Sequence, residues 1–178
     1  GYGTPLNILS DAGMSAVVGE TGYSSTGFSN HNLIVNSSSF AGNSYCAGCN
    51  GSFNLDFTST SVGTSDGISG VGFDFFNRGN PIFTAFVTFG DGSTENYTLS
   101  NTLNSFFGIS SDLLITSMHL GLLNGGETNS GSFGIDNLTI GSVSAVPLPA
   151  AMPLYGAGIA LLGFVGWRRK RKQSVENA

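Results

Sequence analysis

Between Pro81 and Ser100 apolar and polar positions alternate with a period of two. Phe83, Ala85, Val87 and Phe89 share one face of an extended chain, and Ile82, Thr84, Phe86 and Thr88 share the other. A segment with one largely aromatic face and a mixed opposite face belongs in a packed sheet. Gly90-Asp91-Gly92-Ser93 then turns the chain and TENYTL brings it back, which predicts a hairpin. Strands are also predicted over 31–36, 52–59, 67–76, 105–110, 113–122 and 132–141, with Gly, Asn, Ser and Asp between them. That punctuation suits a sandwich or jelly roll. No part of this region keeps an i, i+3, i+4 apolar stripe beyond one helical turn, and no long internal repeat is evident. The expected fold is all-β, an antiparallel, jelly-roll-like β-sandwich over residues 1–142.

The pattern changes near the end. From Ala150 to Trp167 no residue is charged. As a helix this run would span about 27 Å, close to the ~30 Å hydrocarbon core of a bilayer. Gly156, Gly158, Gly163 and Gly166 are poor helix formers in water but are tolerated in lipid, and Pro153 falls in the first turn, where its missing N–H costs nothing. Trp167 stands where an interfacial aromatic belongs, and Arg168, Arg169, Lys170, Arg171 and Lys172 follow it as a membrane stop. The order predicts a linker at 143–149, one C-terminal transmembrane helix at 150–167 and a basic cytoplasmic tail at 168–178. The preceding body then lies on the far side of the membrane. A buried core helix, or a polyanion-binding basic run, accounts less well for five adjacent bases directly after an apolar segment.

Val146-Pro147-Leu148-Pro149-Ala150, then the glycine-containing apolar run, then Trp167 and the basic block, resemble the PEP-CTERM sorting signal of Gram-negative bacteria. The likeness is greatest to its VPLPA variant. Leu148 stands where the parent motif has glutamate, which leaves the exosortase subtype open. The resemblance implies recognition of the residues around Pro147 and Pro149 by an exosortase, an integral-membrane enzyme similar to a cysteine transpeptidase. Removal of the tail and release or attachment of the body at the outer surface would follow. Two prolines two residues apart also keep the backbone extended, as a protease-like substrate requires. The localisation implied is the inner membrane with a periplasmic body, then the cell surface or extracellular matrix. Because the chain opens on Gly1, a removed secretory leader is expected ahead of it. The pieces GVGFDFF, FFGISS and FGIDNLTIG further resemble the lectin-like jelly-roll ectodomains that precede such tails.

Composition sharpens this picture. Only 10% of the 178 residues are charged and 27 are glycine, which alone would suggest disorder, but 14 phenylalanines supply a core. Residues 1–167 carry ten carboxylates against one base, Arg78, whereas residues 168–178 carry five bases against Glu176. An acidic body of this kind repels phosphate backbones, so nucleic acid is excluded as a partner. Exopolysaccharide is the partner that sparse charge and abundant small polar residues suit.

Few residues offer chemistry. Cys46-Ala47-Gly48-Cys49 is the only cysteine pair. A zinc half-site lacks spaced partners, a redox motif lacks its βα setting, and an exported chain favours a small structural disulfide. Asp136 lies among apolar residues on the last predicted strand and needs a hydrogen-bond donor or a cation. With so few bases, a structural Ca²⁺ held by Asp136 with Glu20 or Asp11 is one expectation, and a carboxylate accepting turn N–H bonds is the other. Lectin-like sandwiches often have such an ion, which the resemblance carries over. Asp74 and Asp56 are the carboxylate pair that a glycan-active enzyme would need. No nucleophile elbow, histidine triad or phosphate loop is present, and His31 and His119 read as strand-surface residues. Tyr23, Tyr45 and Tyr97 are candidates for stacking on a sugar, with plain packing as their ordinary role. The expected function is that of an exported, non-catalytic surface or matrix protein. The rivals are a secreted glycan-active enzyme and a dedicated glycan-binding module.

Overall fold

Alternation of large inward side chains with small outward ones builds the sheet. In the computed structural model, residues 4–37, 42–49, 51–77, 82–122 and 133–142 are described, all within one unit, Gly1–Val143. The elements in chain order are β1 (Thr4–Leu9), α1 (Asp11–Val17), β2 (Gly22–Ser25), β3 (Asn32–Ser37), β4 (Gly42–Cys46) and β5 (Phe53–Asp56). Then come β6 (Ile68–Asn77), β7 (Phe83–Phe89), β8 (Thr94–Thr98), β9 (Asn104–Leu122) and β10 (Phe133–Gly141). All ladders are antiparallel.

The long strand β9 serves two layers. Its first half, Asn104–Ser110, pairs with β6, in a layer ordered β1-β3-β4-β10-β6-β9. Its second half pairs with β5 through Ser117–Leu120 and with β7 through Ile115–Leu122, in a layer ordered β2-β5-β9-β7-β8. The change falls at Leu114, whose φ of 59° is left-handed. Such a backbone costs a β-carbon-bearing residue about 1–2 kcal/mol, and the surroundings hold it there. Both Leu113 and Leu114 carbonyls accept from Gly90 N–H, at 3.0 and 3.3 Å. At Gly67, with φ of 109°, a β-carbon would stand 2.1 Å from the Ile115 carbonyl oxygen. Two separate loops therefore close against this kink.

The layers meet through phenylalanine. Phe133 on β10 stacks on Phe53 of β5 at 5.5 Å and meets Phe83 of β7 at 4.5 Å, while Phe75 of β6 meets Phe83 edge-on at 6.0 Å. Val71, Phe73 and Ile135 extend this core on one layer, and Leu55, Ala85, Val87, Met118 and Leu120 on the other. The molecule is thus an all-β antiparallel sandwich, as the period-two pattern predicts. On β7 the expected face is buried, with Phe83, Ala85, Val87 and Phe89 in the core and Ile82 exposed. The β7–β8 hairpin also forms, from Thr84 opposite Thr98 to Thr88 opposite Thr94, with its turn at Gly90–Ser93.

Several elements differ from expectation. The segments 105–110 and 113–122 are one strand, because the intervening residues bend the ladder instead of ending it. Strands β1, β2 and β4 carry little apolar alternation; β4 reads Gly-Asn-Ser-Tyr-Cys and is held by its neighbours β3 and β10. A helix of seven residues, α1, replaces the expected absence of any helix beyond one turn. Its support is local: the Ser10 hydroxyl accepts from Gly13 N–H at 3.1 Å, and Met14 and Val18, four apart, are buried in the core.

Cys46 and Cys49 form a disulfide. Both are buried, in a small cluster with Val35, Phe76 and Leu33 on the outer side of the first layer. The predicted linker, the transmembrane helix and the basic tail lie outside the described residues. Among the described residues no helix is long and apolar enough to cross a membrane.

Two outcomes follow from this packing. Phe133→Ala removes the ring that both layers share and is expected to cost about 3–5 kcal/mol, read as a lowered denaturant midpoint at unchanged slope. Alkylation of the native protein without reductant is expected to modify neither Cys46 nor Cys49, and modification of both would overturn the disulfide.

Candidate functional site

The same alternation that sends Val71, Phe73 and Phe75 inward places Gly70, Gly72 and Asp74 on the outer face of β6. Their neighbours across the ladder are Ser110, Gly108 and Phe106 on β9 and Gly141, Thr139 and Asp136 on β10. Gly70 and Gly72 of β6, Gly108 of β9 and Gly141 of β10 thus present no side chains, with Ser110 and Thr139 between them. The result is an open groove of about 480 Å³ lined by Gly70, Gly72, Phe106, Gly108, Ser110, Thr139 and Gly141.

Phe106 bounds the groove and is 71% exposed. Side chains on a strand stand roughly perpendicular to the sheet, but this ring leans down over its glycine neighbours. A β-carbon on Gly72 would sit 2.8 Å from its Cζ, and one on Gly108 would sit 2.8 Å from its Cε1. The glycines make room for the ring, and its other side is open to solvent.

Beside the ring stands Asp74, and Asp136 lies opposite Asp74 across β6 and β10, at a separate hollow of about 380 Å³ that Ile34, Tyr45 and Asn137 also line. A bulge follows Asp136, with Asn137 at a φ of 51°, a conformation that asparagine tolerates better than most residues. The Asn137 side-chain amide donates to Asp74 Oδ2 at 2.7 Å, and its backbone N–H donates to Asp136 Oδ1 at 2.8 Å. One asparagine thus donates to both carboxylates. No lysine or arginine occurs among the described residues, so among them neither carboxylate has a cationic side chain as partner. Tyr45 lies behind Asp136 in the core, its hydroxyl pushed well above the usual range by burial first and the Asp136 charge second.

The opposite outer face carries a second polar row. Ser24, Asn54, His119, Phe86 and Asn96 are successive cross-strand neighbours over β2, β5, β9, β7 and β8. A smaller hollow of about 370 Å³ opens at its β2 end, and the Phe86 and His119 rings are 6.0 Å apart.

The residues singled out from the sequence fall in separate places. Asp11 caps nothing external: its carboxylate accepts from Ser25 N–H at 3.0 Å, Ser25 Oγ at 2.6 Å and Asn32 Nδ2 at 2.7 Å. Asn32 in turn accepts from the Tyr23 hydroxyl at 2.9 Å. Glu20 accepts from Ser61 N–H, which holds its carboxyl below the usual range. Asp11, Glu20 and Asp136 therefore each have their own donors and are not brought together. No group of three His, Cys, Asp or Glu side chains converges among the described residues.

Asp74 and Asp56 do not form the expected pair either. Asp56 lies on the outer face of the β5 layer, accepting from Thr58 N–H and hydroxyl at 3.1 and 2.6 Å, while Asp74 is on the outer face of the other layer. Tyr23 and Tyr45 are buried in the core and Tyr97 donates to Glu95; among the described residues the most exposed aromatic ring is Phe106. Asp91 accepts from Ser93, as the turn reading of DGSTE requires. The missed signal was a register effect, glycines at alternate positions of GISGVGF facing the FFG of β9.

No known family model matches the chain, and no curated protein matches it. Among solved structures it is similar to the family 11 carbohydrate-binding module of the cellulosomal cellulase Lic26A-Cel5E of Clostridium thermocellum. Identity is 14% and the TM-score 0.32, over 68% of this chain and 81% of that one. It is also similar to the family 11 module from Clostridium thermocellum in complex with a β-1,3-1,4-mixed-linked tetrasaccharide, at 15% identity and a TM-score of 0.31, over 68% and 82%. Likenesses this distant identify no ligand.

Asp11→Ala is expected to lower stability by about 2–3 kcal/mol, since it strips the Asn32 amide and Ser25 of a charged acceptor. Thermal melts of wild type and variant check this, and an unchanged melting temperature would sink the network.

Proposed function

We propose that this chain is an exported cell-surface or matrix protein whose sandwich binds glycans without turning them over. In this reading the C-terminal segment is an exosortase-type sorting signal. The observation that carries the reading is the division of the chain: a lysine-free acidic body, then Val146–Ala150, an uncharged run to Trp167, and five bases. Physical chemistry gives each part a role. The uncharged run partitions into the bilayer, the bases stop it at the cytoplasmic surface, and the two prolines present an extended substrate beside the membrane. The partners are the bilayer, an exosortase and an extracellular polysaccharide. The protein waits in the inner membrane with its body in the periplasm, and processing delivers the body to the surface.

A binding role for the body is supported by its open faces. Asp74 and Asp56 occupy opposite sides of the sandwich, so the glycosidase pair expected of an enzyme is not assembled. Asp74 faces Asp136 instead, on an open sheet surface with Asn137 bound to both. Carboxylate chemistry on a glycosidic bond calls for an acid and a base or nucleophile that flank the bond; a platform calls only for exposed, pre-positioned groups.

The intact mass of the protein recovered from its native host tests the sorting half. The expected product ends near Pro149, with or without an added lipid or glycan mass. A full-length species in the soluble cytoplasmic fraction would overturn the proposal.

A further inference from the structure

We infer that the groove on the outer face of β6, β9 and β10 is a binding site for a neutral hexopyranose polysaccharide, with Phe106 as its stacking residue. The inference rests on the reading of the body as a glycan binder and goes on to name the site and the class of sugar.

Three features converge on this ligand. First, the Phe106 ring is 71% exposed, so one of its faces is available to a ligand. Its other side is seated over Gly72 and Gly108, whose missing side chains are what let it lean there. A pyranose offers the complementary surface, a flat patch of C–H groups that covers one aromatic face. Second, hydrogen-bonding groups of the right type lie alongside. Ser110 and Thr139 line the groove, and the Asp74 carboxylate, opposite Phe106 and pre-oriented by the Asn137 amide, accepts from hydroxyls. Third, the groove runs over three strands and is open at the surface, which suits a chain passing through it better than an isolated sugar.

Charge then selects among occupants. Two carboxylates directly opposite one another, with no lysine or arginine among the described residues, repel uronates, sulfated sugars and anionic lipid. A second copy docked face to face would bring four carboxylates together at the same apolar ring. A neutral polyol meets none of these penalties and is hydrogen-bonded by the groups that exclude the others.

Native affinity electrophoresis of the full chain in a polyoxyethylene detergent tests this, because a net charge of −5 moves the protein toward the anode. The gels carry hydroxyethyl cellulose, galactomannan or dextran as neutral probes and alginate as the anionic one. At least one neutral polymer is expected to retard wild type, and alginate is not. Phe106→Ala should weaken that retardation at least about tenfold, Phe106→Trp should keep it, and Phe86→Ala on the opposite face should leave it unchanged. Wild type that no polymer retards overturns both this site and the glycan-binding reading. Retardation that survives Phe106→Ala overturns the site alone, and retardation by alginate but by no neutral polymer overturns the ligand class.

Discussion

The structure depends on one aromatic contact set between two sheets. Phe133 touches Phe53, Phe75 and Phe83, so a residue of one layer meets both strands that flank β9 in the other. The layers are also covalently continuous through β9, whose kink at Leu114 carries it from one to the other. A strained leucine persists only where packing over-determines it. Here Ile115 immediately after the kink is fully buried, and the Gly90 N–H bonds the carbonyls of Leu113 and Leu114. Close packing of the phenylalanines therefore fixes the layer spacing, and the kink fixes where the chain crosses it.

The candidate groove is the outward consequence of that inward packing. A strand with period two cannot choose its two faces independently: once 71, 73 and 75 are committed to the core, 70, 72 and 74 must face solvent. In β6 the inner positions hold Val71, Phe73 and Phe75 and the outer ones Gly70, Gly72 and Asp74. On β9 the rule places Phe107 against the core and Phe106 outside. The bulge after Asp136 breaks the rule once, and that break brings Asn137 to both carboxylates.

This explains what could be read in advance. The inner face of β7, its hairpin and the all-β class were legible because alternation and turn residues are local signals. The strands β2 and β4 were not, since Gly-Tyr-Ser-Ser and Gly-Asn-Ser-Tyr-Cys become strands through ladder partners distant in sequence. Helix α1 rests on a Ser10 cap and two buried side chains, too short a pattern for a periodicity argument. At the site, the need of Asp136 for a partner is legible, but whether Asp74 meets Asp56 or Asp136 depends on a register that sequence does not supply. Phe106 went unnoticed because FFG does not say which phenylalanine faces out until β6 is paired with β9. The Cys46–Cys49 bridge was legible, since the close spacing and the expectation of export both favour a disulfide.

The scarcity of bases, with Arg78 alone against ten carboxylates in residues 1–167, shapes the electrostatics of the body. An ordinary domain neutralises carboxylates with lysine and arginine; here hydroxyl and N–H donors take that place. Asp11 uses Ser25 and Asn32, Asp56 uses Thr58, Asp91 uses Ser93, and Glu20 uses Ser61. Such donors satisfy the oxygens locally and hold the Glu20 and Asp91 carboxyls below their usual range, but they cancel no charge. The field of the body therefore stays negative at distances where a salt-bridged surface would be nearly neutral. A body of that kind stands off from anionic membranes and polyanions, and short-range contacts with uncharged partners are left to decide what it binds. The glycine-floored face of β6, with Phe106 exposed over it, is the surface proposed for such contacts.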